Sequence, residues 1–389
     1  MFTNSSVIGV IGSGAMGSGI AQVAATAGHK VLVYDNNQTT LDKAKKNLLA
    51  GLEKLTAKSK ISVEQSTAIA AAHHYVSGLA DLSECDLIIE AIIENLDIKK
   101  AVFSELETVC KPSCVLASNT SSLSITSIAA ACKQPQKVLG VHFFNPATLM
   151  PLVEIIPGVA TDLNVAEAVK TLTIGWGKTC VMAKDTPGFI VNRVARPFYS
   201  EALRIAEEGI ADLPTIDWAM KEIGGFRMGP FELMDLIGHD VNYVVTETVW
   251  KQFYYDPKFK PALSQKRLLE AGFLGRKSGR GFYQYHEGAT LPEPNKDPIL
   301  GKKILERVLA MLINEAADTV YLGVASAADV DLAMTKGVNY PKGLLRWADE
   351  WGIKNVCQTL RDLQTFYEED RYRLSPALKH KLEDGTGFY

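Results

Sequence analysis

The chain has 389 residues, and at roughly 100–200 residues per domain it should hold two or three domains. Hydrophobic residues make up 47% and charged residues 22%, a balance that excludes disordered, collagen-like and low-complexity readings. A formal net charge of -3 excludes a protein that coats nucleic acid, and no apolar run reaches the ~18 residues of a membrane span.

From the N-terminus, residues 1–6 carry no charged n-region and run straight into VIGVIG, so no secretory signal is expected. Six cysteines without an export signal fit reduced thiols in the cytoplasm. Cys110 and Cys114 lie four apart, but no second Cys/His pair completes a zinc set, and no metal is expected.

Residues 7–11, 31–34, 86–91 and 115–117 are short runs, rich in β-branched residues and apolar on both faces, as parallel strands covered by helices are. Residues 16–27 and 41–55 between them read as helices. Strands follow at 138–144, 152–156 and 179–182, with a helix at 164–174. The pattern predicts an α/β domain with a Rossmann-type doubly wound sheet over residues 1–184. After Pro187-Gly188, amphipathic helical segments take over, and Pro292, Pro294 and Pro298 mark a further boundary. Two all-α domains are therefore expected, at 185–290 and 291–389.

The helical part repeats itself. A shift of 114 positions carries Arg193 to Arg307, Glu201-Ala202 to Glu315-Ala316, Asp217 to Asp331, Gly229 to Gly343, Asp235 to Asp349 and Gly238 to Gly352. Each copy ends on a similar tail, GRGFY at 279–283 and GTGFY at 385–389. So many matches at one shift predict a duplicated helical domain.

Gly12, Gly14 and Gly17 form a GxGxxG between a predicted strand and a predicted helix, and the second strand ends at Asp35 about 20 residues on. The first glycine allows a tight turn, the second lets backbone approach a pyrophosphate, and the third packs helix on strand. The helix N-terminus offers N–H groups and positive dipole to phosphates. Asp35 can accept ribose hydroxyls and would repel a 2′-phosphate, so NAD is the expected cofactor.

Of seven histidines, six are read as lying in loops or polar helices, and His142 alone ends an apolar strand. Glu154, twelve residues on, interrupts another apolar strand that could return beside it. A carboxylate against imidazole fixes the tautomer and favours the cation, as a general base requires. On these residues alone the pair reads equally as a half-buried structural histidine with a capped glutamate. The run 118–122, SNTSS, could meet a substrate or merely cap a helix.

GSGAMGSGIA, EAIIENLDIKK, ASNTSSLSIT, GVHFFNP, LVEII, DTPGFIVNR and GRKSGRGFY, in that order, resemble the L-3-hydroxyacyl-CoA dehydrogenase family over essentially the whole chain. The duplicated helical half resembles the dehydrogenase part of the multifunctional fatty-acid oxidation proteins. The resemblance implies reversible, NAD-dependent oxidation of an L-3-hydroxyacyl-CoA to a 3-ketoacyl-CoA. By it, His142 would be the base, Glu154 its partner, and Ser121 and Asn192 would hold the substrate. Glu94, Lys99, Asn145 and Lys277 would contact the cofactor, and Lys58, in a lysine-rich helical stretch, the CoA phosphates. Lys277 reads equally as a solvated loop lysine, and the lysine run as a solvated helix face. At the 114 shift Asn192 falls opposite Glu306, and no second SNTSS or HFFNP exists, so one active site is expected. The second copy would then cover the surface that single-copy relatives use for dimerisation, giving a monomer or weak homo-oligomer.

Two other readings share the glycine-rich start. The 3-hydroxyisobutyrate and 6-phosphogluconate dehydrogenases rely on a lysine base and lack the HFFNP–Glu pair. A dehydrogenase of a free hydroxy or sugar acid, or a non-catalytic NAD-binding protein, would keep the fold without the acyl-CoA reaction.

Overall fold

The computed structural model describes residues 2–389, which divide into two units between Thr186 and Pro187. In the first, β1 (Ile8–Ile11), β2 (Val31–Tyr34), β3 (His73–Val76), β4 (Leu87–Glu90), β5 (Val115–Ser118), β6 (Val138–Phe143), β7 (Leu152–Pro157) and β8 (Thr179–Met182) form one sheet. The order is β3-β2-β1-β4-β5-β6-β7-β8. Every neighbouring pair is parallel except β6–β7. The helices of this unit are α1 (Ala15–Thr26), α2 (Gln38–Ala57), α3 (Val63–Ala72), α4 (Leu96–Val109), α5 (Ile125–Ala129) and α6 (Leu163–Gly175).

Alternation along the strands builds two cores. Ile8, Val10, Leu87 and Ile89 pack with Ile20 and Ala24 of α1, while Ile11 and Ile88 pack with Phe103 and Leu106 of α4. Strands apolar on both faces are therefore covered on both faces. The order reverses between β1 and β4, which opens a crevice at the carboxyl ends of the strands, where such sheets bind ligands.

Strand β3 is absent from the sequence reading, and His73 and His74 lie on it rather than in a loop or polar helix. Its HHYV has no apolar run; as an edge strand it is held by pairing with Val31–Tyr34 and by the His73 ring against the Ile69 carbonyl, 2.8 Å from Nδ1.

The second unit contains α7 (Val191–Val194), α8 (Arg196–Glu207), α9 (Leu213–Trp218), α10 (Pro230–Ile237), α11 (His239–Gln252) and α12 (Leu263–Glu270). There follow α13 (Pro298–Tyr321), α14 (Ala327–Gly337), α15 (Leu344–Trp351), α16 (Ile353–Tyr367) and α17 (Pro376–Asp384). At the 114 shift, α10 maps onto α15, α11 onto α16 and α12 onto α17.

The repeated residues do repeated work. Asp217 accepts from the N–H groups of Phe231 and Glu232 at the start of α10, and Asp331 from those of Leu345 and Arg346 at the start of α15. The tail tyrosines Tyr283 and Tyr389 donate their hydroxyls to Asp217 and Asp331. A Cβ on Gly229 would stand 2.3 Å from Asp217, and one on Gly343 2.2 Å from Asp331, so each capping aspartate needs its glycine. His239 also departs from the sequence reading: it is fully buried, with Nε2 2.9 Å from Asp235 Oδ1. No described helix is long and apolar enough to cross a membrane.

Candidate active site

The glycine loop follows β1. Gly12 has φ +92°, and a Cβ there would come within 2.5 Å of the Ala91 carbonyl oxygen; a Cβ on Gly17 would stand 1.8 Å from the Gly12 carbonyl oxygen. Backbone crowding thus demands both glycines. At Gly14 no protein atom lies within 4 Å of the Cβ position, so the need for glycine there is to leave the approach to the α1 N-terminus open. Asp35, just past β2, is held rigidly. Its Oδ2 accepts from the N–H and hydroxyl of Ser13 at 2.7 and 2.9 Å, and its Oδ1 from the Asn37 N–H. A cavity of about 660 Å³ joins Gly12, Gly14 and Asp35 to Ile92, Ile93 and Ile98. An acid at one end and an apolar wall fit a nucleoside, and this donor set fits NAD. The three isoleucines line this cavity, and the motif reading did not single them out.

At the ends of β4 and β5 lies a polar network. Lys99, 1% exposed, places Nζ 2.6 Å from Glu90 Oε1 and 3.4 Å from Glu94 Oε2. The fully buried Glu90 also accepts from the Ser118 hydroxyl and the Ile92 N–H. Glu94 accepts from the Thr120 and Ser122 hydroxyls and the Ser121 N–H. Sequence reasoning missed Glu90, although a glutamate ending the apolar run LIIE is the same signal that exposed Glu154. The network locks the SNTSS turn, so Lys99 acts on the loop through Glu90 and Glu94.

The helix-cap reading of SNTSS falls to a neighbour. The cap of α5 is Ser124, which accepts from the Ser127 N–H, and Asp185 accepts from Ile125 N–H, Thr126 N–H and the Ser124 hydroxyl. Ser121 is left half-buried in the turn.

His142 and Glu154 stand directly opposite each other on the antiparallel pair β6–β7. Nδ1 is 2.7 Å from Glu154 Oε2; the histidine is 6% exposed and the glutamate fully buried. The Asn119 amide oxygen accepts the Phe143 N–H at 2.8 Å, tying the SNTSS turn to the histidine strand. The Phe144 ring lies 4.5 Å from the imidazole. The next residue, Asn145, is exposed in the following turn, and Lys178 donates to the Ala147 and Met150 carbonyls of that turn.

The structure therefore places Glu94, Lys99 and Ser121 beyond the carboxyl ends of β4 and β5, and His142 with Glu154 on the neighbouring pair β6–β7. Lys58 is exposed at the C-terminal cap of α2. Asn192, in α7, and Lys277, whose ammonium pairs with Asp240, belong to the second unit.

The model of the 3-hydroxyacyl-CoA dehydrogenase NAD-binding domain matches residues 7–186, and that of the C-terminal domain residues 188–285 and 304–387. The chain is 38% identical to the 3-hydroxyadipyl-CoA dehydrogenase of Escherichia coli, covering 99% of both chains. It is 42% identical to a probable 3-hydroxybutyryl-CoA dehydrogenase of Deinococcus radiodurans, covering 71% of this chain and 99% of that protein. The solved 3-hydroxybutyryl-CoA dehydrogenase of Escherichia coli superposes with a TM-score of 0.92 at 36% identity, covering 98% of this chain and 100% of that one. The chain belongs to the 3-hydroxyacyl-CoA dehydrogenase family and is an oxidoreductase that oxidises 3-hydroxyacyl-CoA with NAD.

Proposed function

We propose that the chain oxidises short L-3-hydroxyacyl-CoA thioesters reversibly, with His142 as general base, Glu154 orienting it, and Ser121 and Asn192 holding the substrate oxygens. The carrying observation is the buried His142–Glu154 pair. With Nδ1 bound to a buried carboxylate, the imidazole keeps one orientation, and Nε2 is the nitrogen that takes the C3 hydroxyl proton. The glutamate stabilises the imidazolium that results. NAD supplies the hydride acceptor. Gly12, Gly14, Gly17 and Asp35 would hold its adenosine and pyrophosphate, with Glu94, Lys99, Asn145 and Lys277 toward the nicotinamide end. The names of the relatives, a hydroxyadipyl and a hydroxybutyryl enzyme, support a short acyl chain. Lys58 would meet the CoA phosphates.

The two helical copies, 185–290 and 291–389, act as one domain and its internal partner, and the chain works as a monomer or weak homo-oligomer. Six free cysteines support a cytoplasmic setting.

Loss of NADH absorbance on adding acetoacetyl-CoA tests the reading. Turnover is expected in the wild type and a fall of about 10²–10⁴-fold in His142→Gln, with NADH affinity kept. Turnover of a free hydroxy acid but of no CoA thioester would reject it.

A further inference from the structure

Three charged side chains meet at the carboxyl ends of β4 and β5, and their charges do not cancel. Glu90 is fully buried and Lys99 is 1% exposed, whereas the Glu94 side chain keeps 37% of its surface open. Lys99 Nζ stands 2.6 Å from Glu90 and 3.4 Å from Glu94, and among the described residues no other ion pair reaches the three. Two carboxylates against one ammonium leave one negative charge in excess, and the exposed member of the set is Glu94.

Glu90 itself is closed to any ligand. Its Oε1 takes the Lys99 ammonium and the Ile92 N–H, and its Oε2 takes the Ser118 hydroxyl, so it acts only through its neighbours. Its burial is tolerated because it is paired. Glu94 is fixed as well, by the Thr120 and Ser122 hydroxyls and the Ser121 N–H. The fold therefore sets where the excess charge lies. Along the sheet order β2-β1-β4-β5, Asp35 lies past β2, the glycine loop past β1 and the charged set at the ends of β4 and β5. A dinucleotide across such a crevice, with its adenosine ribose at the acid, extends its nicotinamide half toward β4 and β5. Ile92 links the two halves: it lines the cavity beside Gly12 and Asp35, and its N–H is held by Glu90.

We propose that Glu90 is a positioning residue for the redox state of the cofactor. By holding the Lys99 ammonium, it leaves Glu94 an uncompensated negative charge, which favours the cationic oxidised nicotinamide over the neutral reduced one. The inference rests on the reading above that Glu94 lies toward the nicotinamide end. Without the charge of Glu90, the ammonium would neutralise Glu94 instead, and the discrimination would fade. Charges in a partly buried crevice are weakly screened, so one unit of charge is enough to be felt in binding.

The test is the Kd of NAD+, NADH and ADP-ribose, measured by calorimetric titration of the full chain without substrate. Glu90→Gln keeps the shape and still offers an oxygen to Lys99 and the Ile92 N–H, but removes the charge. It should raise the Kd of NAD+ relative to that of NADH by about three- to tenfold. ADP-ribose, which lacks the nicotinamide, should stay within about twofold. Glu90→Gln combined with Lys99→Met removes one charge of each sign, and the NAD+ to NADH ratio should return to within about twofold of the wild type. An unchanged ratio in Glu90→Gln would overturn the inference, and so would a ratio that stays shifted in the double variant. Equal weakening of all three nucleotides would mark a structural role and overturn it too. If Glu90→Gln fails to fold, Glu94→Gln removes the same excess charge at the exposed member, and an unchanged ratio there overturns the inference. The ratios need no thioester, so they can fail while acetoacetyl-CoA turnover holds, and the two readings fall separately.

Discussion

The Nε of Arg193 lies 2.6 Å from Oε1 of Glu315, and at the 114 shift the same two positions are paired in reverse, with Arg307 Nε 3.1 Å from Glu201 Oε2. Residue i of the first copy meets j of the second, and j of the first meets i of the second. That reciprocity is the signature of a two-fold interface, here between copies within one chain. The flanking contacts follow it: Lys258 stands 3.7 Å from Glu315, and its counterpart Tyr372 donates to Glu201 at 3.0 Å.

Glu315→Leu should lower stability by about 3–5 kcal/mol, because Arg193 is left buried without its carboxylate. Adding Arg193→Met should restore at least about 1 kcal/mol of that loss. Urea unfolding of both variants measures it; additive losses would mean that the pair is not coupled.

Glu154→Gln should cut kcat by about 10²–10⁴-fold. A neutral amide no longer stabilises the imidazolium, and its N–H₂ can impose the other tautomer. NADH affinity by fluorescence titration should stay within about twofold, which separates this loss from a folding defect.

Asp35→Asn should shift cofactor choice. The amide can still receive the Ser13 N–H but no longer repels a 2′-phosphate, so kcat/KM for NADPH should rise relative to NADH by roughly tenfold or more. An unchanged ratio would place cofactor discrimination elsewhere.

Lys58→Glu should raise KM for acyl-CoA and leave that for NAD alone. Its exposure keeps the effect electrostatic and screened by salt, so the difference should shrink between 20 mM and 500 mM salt.

Cys132 and Cys180 should be unreactive in the folded chain. Burial, helped by the charge of Glu107, pushes Cys132 up to about 11, and burial pushes Cys180 up to about 12. Because the thiolate is the nucleophile, raising a thiol pKa from ~8.5 to about 11 lowers the thiolate fraction at pH 8 by on the order of a hundredfold. Iodoacetamide at pH 8 should modify Cys132 and Cys180 far more slowly in the native chain than in urea. The native rate at Cys132 should climb about tenfold per pH unit up to pH 10.

Much of this was legible in the residues. The apolar runs announced seven of the eight strands, because strands covered on both faces need continuous apolar sequence. The glycine loop, Asp35, and the His142 and Glu154 interruptions stood out against that background. The edge strand β3 did not, since a strand with one neighbour has little apolar demand and HHYV carries no pattern. Glu90 and Asp185 escaped because their partners belong to other elements, Lys99 of α4 and Ser118 of β5 for the first and the start of α5 for the second.

By itself the sequence determined the order of elements, the cofactor loop and the repeat, because periodicity and local backbone demands are written in neighbouring residues. Only the tertiary structure decided which charges are satisfied. It gave His142 its glutamate through antiparallel register, and gave Arg193 and Arg307 carboxylates from the opposite copy. The pairs between the copies join positions 122 and 106 apart, and no local pattern encodes them.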